Sequence, residues 1–102
     1  MSLSVVIRNG QARRIDIKNG ADKGAAGTSN AISASSDGEH IVVVYADGRA
    51  RRYLAENGSD KGSVGGMNVA SCNISGGIII LGYRDGKSRR YDARSGADKG
   101  SV

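Results

Sequence analysis

Apolar residues gather in short clusters along this chain, and no continuous aliphatic run exceeds the four residues of Ile78 to Leu81, a length Ile41 to Val44 shares. A membrane-spanning helix needs roughly 20 such residues, so none is predicted. Ile41 to Tyr45 is β-branched and apolar, the pattern of a buried strand. Asp47-Gly48 follows and predicts a two-residue hairpin turn. Ala50 to Ala55 then alternates apolar with charged residues, as a second strand does. Asn57-Gly58 predicts another turn, and Lys61 to Val64 a short outer strand. Met67 to Ile74 predicts a further strand, closed by Ser75-Gly76-Gly77. Its earlier counterpart is Ala31 to Ser35, closed by Asp37-Gly38. No window carries sustained helical periodicity with caps. The chain is therefore expected to be all-β.

The pattern repeats. Arg13-Arg14 recurs as Arg51-Arg52 and Arg89-Arg90, a constant step of 38 residues. Asp22-Lys23-Gly24 recurs at the same step as Asp60-Lys61-Gly62 and Asp98-Lys99-Gly100. Gly10, Gly48 and Gly86 hold this spacing, as do Gly20, Gly58 and Gly96. The units are residues 1–38, 39–76 and 77–102, and together they form one repeat domain without a linker. Three copies of the strand–turn–strand core are present, with only two linking strands between them.

The segment YRDGKSRRYDARSGADKGSV resembles a blade of the tryptophan–aspartate repeat propellers. The matching elements are the Asp85-Gly86 turn, Tyr91-Asp92 closing a strand, and the polar turn at Ser95-Gly96. Ile32 to Gly38 is similar to the inner strand and turn of such blades. The resemblance implies three propeller-like antiparallel blades. Propeller rings start at about four blades, so completion by homo-oligomerisation is expected. A dimer of six blades is favoured, each chain lacking one inner strand. The alternative is a closed monomer of the β-trefoil or β-prism kind, which also uses threefold repeats.

Composition adds turns and charge. Gly supplies 16 of 102 residues and Pro none, which fits many tight turns. Fifteen Lys and Arg against 10 Asp and Glu give a net charge of +5, weakly favouring anionic partners. One cysteine, Cys72, excludes an internal disulfide and a multi-cysteine zinc site. With one histidine, His40, no metal and no cofactor is expected. No leader is visible, so the cytoplasm is the expected compartment.

The arginine pairs are the main candidates for binding. Strand neighbours point to opposite faces, so Arg14, Arg52 and Arg90 share one face and Arg13, Arg51 and Arg89 the other. A guanidinium binds carboxylate or phosphate through two parallel hydrogen bonds. The competing role is architectural. Asp16 and Asp92 lie two residues beyond Arg14 and Arg90, and Asp22, Asp60 and Asp98 recur once per unit. An arginine could then pair with an aspartate of a neighbouring blade. Tyr53 and Tyr91 follow the arginine pairs and could stack on a ligand, or pack between blades with Tyr45 and Tyr83. His40 reads as a surface or interface residue, and Cys72 as a small buried filler. Asp-Lys-Gly lacks the context of a phosphate loop and reads as a charged turn.

These features favour a non-catalytic binding module for an anionic ligand or partner, without a membrane role. The alternatives are a nucleic-acid-binding protein and a structural assembly subunit.

Overall fold

The computed structural model describes residues 3–102. It contains eleven strands in three antiparallel sheets, with no helix among the described residues. The first sheet has the order β1 (Leu3–Arg8), β2 (Gln11–Asp16), β3 (Asp22–Ala25). The second runs β4 (Ala31–Ser36), β5 (His40–Tyr45), β6 (Ala50–Leu54), β7 (Asp60–Val64). The third runs β8 (Val69–Ser75), β9 (Ile78–Tyr83), β10 (Ser88–Asp92), β11 (Asp98–Ser101). Each sheet is one blade, and each blade meanders from inside to outside. β4 lies beside both β1 and β8, so the inner strands meet, while β3, β7 and β11 form the outer rim. Three separate stacked sheets replace the trefoil or prism alternative.

Blade 2 is covered on both sides, which explains why every residue of β5 is buried. Ile41 and Val43 face blade 1 with Leu3, Ala12, Ala26, Tyr45, Tyr53 and Ala55. Val42 and Val44 face blade 3 with Ala50, Val64, Ile79, Leu81, Tyr91 and Ala93. The alternation of a single strand thus feeds two apolar layers. Each fully buried Val or Ile contributes roughly 1.5–3 kcal/mol. Backbone bonds stitch neighbouring blades: Ala31 N–H donates to the Gly10 carbonyl, and Val69 N–H to that of Gly48.

The hairpins differ from the expectation in one respect. Asp47-Gly48 does not form a two-residue turn. Tyr45 N–H donates to the Arg49 carbonyl, so Ala46, Asp47 and Gly48 make a three-residue loop with Gly48 at φ +87°. Blade 3 repeats this, with Tyr83 N–H donating to the Lys87 carbonyl. Blade 1 does make the two-residue turn, through Asn9 (φ 53°) and Gly10 (φ 74°), and Arg8 pairs directly with Gln11. Its β1–β2 register is consequently offset by one residue: Ile7 pairs with Ala12, whereas Val44 pairs with Ala50. A one-residue slip moves every side chain to the other face. Leu3 and Val5 therefore pack toward blade 2, and Val6 shares the outward face with Arg13.

Candidate functional site

The two recurrent motifs are halves of one device. In β2, β6 and β10 the first arginine of each pair bonds the aspartate nine residues on, in its own blade. Arg51 donates from Nε and Nη2 to the Asp60 carboxylate at 3.0 and 3.1 Å. Arg89 does the same to Asp98, and Arg13 to Asp22. Each aspartate also accepts the N–H of the glycine two residues later, at 2.7–2.8 Å. These bonds hold the carboxyls below the usual carboxylate range. Arg13 is the main cause for Asp22 and Arg51 for Asp60; for Asp98 it is the Gly100 N–H, then Arg89.

The second arginine of each pair crosses to the next blade. Arg52 is buried, and its Nη1 donates to the carbonyls of Ala93 and Arg94 at 3.1 and 2.8 Å. Its Nη2 donates to the Lys61 carbonyl at 2.7 Å. Arg14 makes the same set with Ala55, Glu56 and Lys23. A bulge explains the third acceptor. Arg52 pairs with Gly62 and Tyr53 with Asp60, which leaves Lys61 outside the ladder with a free carbonyl. Gly62 completes the device, at φ +105° and with only 3.4 Å between an added Cβ and Arg52 Nη2. The expected pairing of these arginines with a neighbouring blade's aspartate does not occur. Asp16 and Asp92 instead cap their own turns, accepting the N–H groups of Lys18 and Arg94.

The tyrosines are packing residues. Tyr53 and Tyr91 are buried, and their hydroxyls bond those of Tyr45 and Tyr83 at 2.7 and 2.5 Å. Burial, then the bond to the partner tyrosine, raises the Tyr53 and Tyr83 hydroxyls well above their usual range. Each pair nestles against a glycine of the preceding blade: a Cβ at Gly27 would lie 1.9 Å from the Tyr45 hydroxyl oxygen, and one at Gly65 2.7 Å from that of Tyr83. His40 is buried with Nδ1 unpartnered, which corrects the surface reading. Cys72 packs beside the blade 2–blade 3 layer with Sγ 3.5 Å from Ser33 Oγ, and burial raises its thiol.

Two clefts open to solvent occupy equivalent positions in the repeat. One, of about 760 Å³, is lined by Tyr45, Asp47, Arg49, Arg51 and Ser63 among others. The other, of about 870 Å³, has Tyr83, Asp85, Lys87, Arg89 and Ser101 in the same places. Met67 lines both. Asp60 fixes the Nε–Nη2 edge of Arg51 and Asp98 that of Arg89, and in each arginine Nη1 has no acceptor among the described residues. A second cation, Arg49 or Lys87, lines the same cleft, Arg49 in an exposed 4.0 Å ion pair with Asp47. Sequence reasoning found Arg51 and Arg89 but missed Arg49 and Lys87. Their recurrence one residue after Gly48 and Gly86 was the available signal.

No protein-family model and no curated protein matches the chain. Solved structures do. The chain is similar over its whole length to the computationally designed Ika4 protein, with a TM-score of 0.76 and 18% identity, and it covers 67% of that chain. It is also similar to BamB from Moraxella catarrhalis, with a TM-score of 0.73 and 18% identity over 99% of its length. The N-terminal domain of Nup159 gives a TM-score of 0.66 at 10% identity. The chain spans only 33% of the BamB chain and 28% of the Nup159 chain. These likenesses establish a propeller-type fold built of blade repeats.

Proposed function

We propose that this chain is a non-catalytic interaction module that receives an anionic partner in its two equivalent clefts. One observation carries the reading: Arg51 and Arg89 are each held by a carboxylate along one edge, with the other edge free in a cleft that a second cation also lines. A guanidinium fixed in this way loses little side-chain freedom when it binds a carboxylate or phosphate. Two such sites one repeat apart suit a partner carrying several anionic groups, because the second contact forms intramolecularly.

The nucleic-acid alternative keeps the net charge of +5 but loses its stacking rings, since Tyr53 and Tyr91 are buried. Fluorescence anisotropy with a labelled polyglutamate peptide and a labelled single-stranded oligonucleotide separates the two readings. Polyglutamate is expected to bind at low salt and to weaken as salt is raised. The Arg51→Ala, Arg89→Ala double variant should lose at least about tenfold in affinity. Both pairs are solvent-exposed, so its melting should change little. Tighter binding of the oligonucleotide would favour the alternative. No binding of either probe at low salt would refute the anionic reading.

A further inference from the structure

We infer that the outward face of blade 3 receives the outward face of blade 1 of a second copy, head to tail, closing a ring of two chains. The inter-blade clamp occurs twice inside the chain. Arg14 of blade 1 bonds the carbonyls of Ala55 and Glu56 in blade 2, and Arg52 of blade 2 bonds those of Ala93 and Arg94 in blade 3. The two outermost faces carry the complementary halves of a third clamp.

Arg90 is the donor half. It keeps the bond within its own blade, from Nη2 to the Lys99 carbonyl at 2.9 Å. Its Nη1 has no acceptor among the described residues. The acceptor half is the turn after β2. By the repeat, Ile17 and Lys18 stand where Ala55-Glu56 and Ala93-Arg94 stand. The turn has the same closure in all three blades: Gly20, Gly58 and Gly96 N–H groups donate to the carbonyls of Asp16, Leu54 and Asp92 at 2.7–2.8 Å. Gly58 and Gly96 each seat an arginine of the preceding blade. A Cβ there would lie 3.2 Å from Arg14 Nε and 3.1 Å from Arg52 Cζ respectively, whereas at Gly20 it would meet nothing within 4 Å. Gly20 is the same seat without its guanidinium.

The apolar residues agree. Ile80 is 37% exposed and Val102 74%, while their counterparts Val42 and Val64 are 0% and 3% exposed against blade 3. On the other face Val6 is 39% and Ile17 61% exposed, and the counterpart of Ile17 in blades 2 and 3 is a fully buried alanine. Each face offers what the other lacks, so the contact is heterologous. Two copies of three blades close it with two identical joints. The clamp uses only the third strand and the outer turn, elements present in all three blades. This joint does not depend on the anionic clefts, which lie beside Arg51 and Arg89.

Light scattering coupled to size exclusion, across the micromolar range, tests it on the full chain. The expected mass is twice the 10.5 kDa of one chain. Arg90→Ala, which removes a side chain with one internal bond, and Ile17→Arg, which sets like charge against Arg90, should each weaken the dimer at least about tenfold. Circular dichroism should show their sheet content unchanged. An equimolar mixture of the two variants should regain dimers, because one joint then pairs an intact Arg90 with an intact Ile17 turn. A monomeric parent chain, a mass that keeps rising with concentration, a mass indifferent to both variants, or a mixture that stays monomeric would overturn the inference. Salt-dependent polyglutamate binding by a monomer would overturn this joint while leaving the cleft reading intact.

Discussion

Arg52 shows how much one side chain can do between two sheets. Its fork reaches the bulged Lys61 carbonyl of its own blade and two carbonyls of the next, so it replaces backbone ladder bonds that neither sheet could supply. Arg52→Ala would leave these acceptors poorly satisfied in a buried layer. A loss of about 3 kcal/mol is expected, read from the urea midpoint. Arg52→Lys should recover only a part, because one ammonium cannot span acceptors on both blades. A loss below about 0.5 kcal/mol, as for an ordinary surface position, would refute the clamp. The arginine pairs and the Asp-Lys-Gly motif were legible as repeats, and so was the split of each pair between two faces. Which arginine took the carboxylate was hidden, because the competing acceptors are main-chain carbonyls, which no side-chain pattern records.

At the scale of elements, the turn decides the register. Asn9-Gly10 and Asp47-Gly48 occupy equivalent positions, yet the first closes a two-residue turn and the second a three-residue loop. Asn tolerates the left-handed conformation that the tight turn needs at its first position. Asn9→Ala should therefore cost about 1 kcal/mol in a urea melt and speed amide exchange in β1. An unchanged melt would argue against this turn. The strands themselves were readable from apolar clusters and glycine punctuation, to within a residue or two. The offset was not, because both loop lengths satisfy the same Gly spacing and only the facing layer distinguishes them. β1 must place Leu3 and Val5 against Ile41 and Val43, and the slip does so.

The whole molecule is an arc of three blades, 37 by 26 by 19 Å, with charged carboxylates in its turns and outer strands and one, Asp37, at a joint. Burial raises the Asp37 carboxyl, but the N–H groups of His40, Glu39 and Gly77 outweigh this and hold it below the usual range. The Gly77 bond, at 3.0 Å, ties blade 3 to the hairpin of blade 2. Asp22, Asp60, Asp92 and Asp98 are lowered as well. A carboxyl with a lowered folded pKa stabilises the fold above its unfolded value, near pH 4, and loses that contribution as pH falls through the folded value. Thermal melts should therefore stay level from pH 7 to about 5 and decline below about pH 4, chiefly through Asp37, because the Arg–Asp pairs are solvent-screened. Asp37→Asn should lower the melting temperature at neutral pH and flatten the acid limb. A parallel acid limb in that variant would assign the effect elsewhere.

Local chemistry was legible along the chain: strands from β-branched runs, turns from glycine, three units from an uninterrupted step, and the residue types that meet between blades. These depend on nearest neighbours along the chain and on the period, which a single sequence displays in full. The tertiary structure decided what each group meets. It separated the paired arginines into a carboxylate-bound set and a carbonyl-bound set, buried His40, Tyr45, Tyr53 and Tyr91, and shifted β1 by one residue. It also left Arg90 and the Gly20 turn facing outward as unmatched halves of the same clamp. Those outcomes depend on how one sheet stacks on the next, and stacking brings together atoms about 40 residues apart, main-chain carbonyls above all.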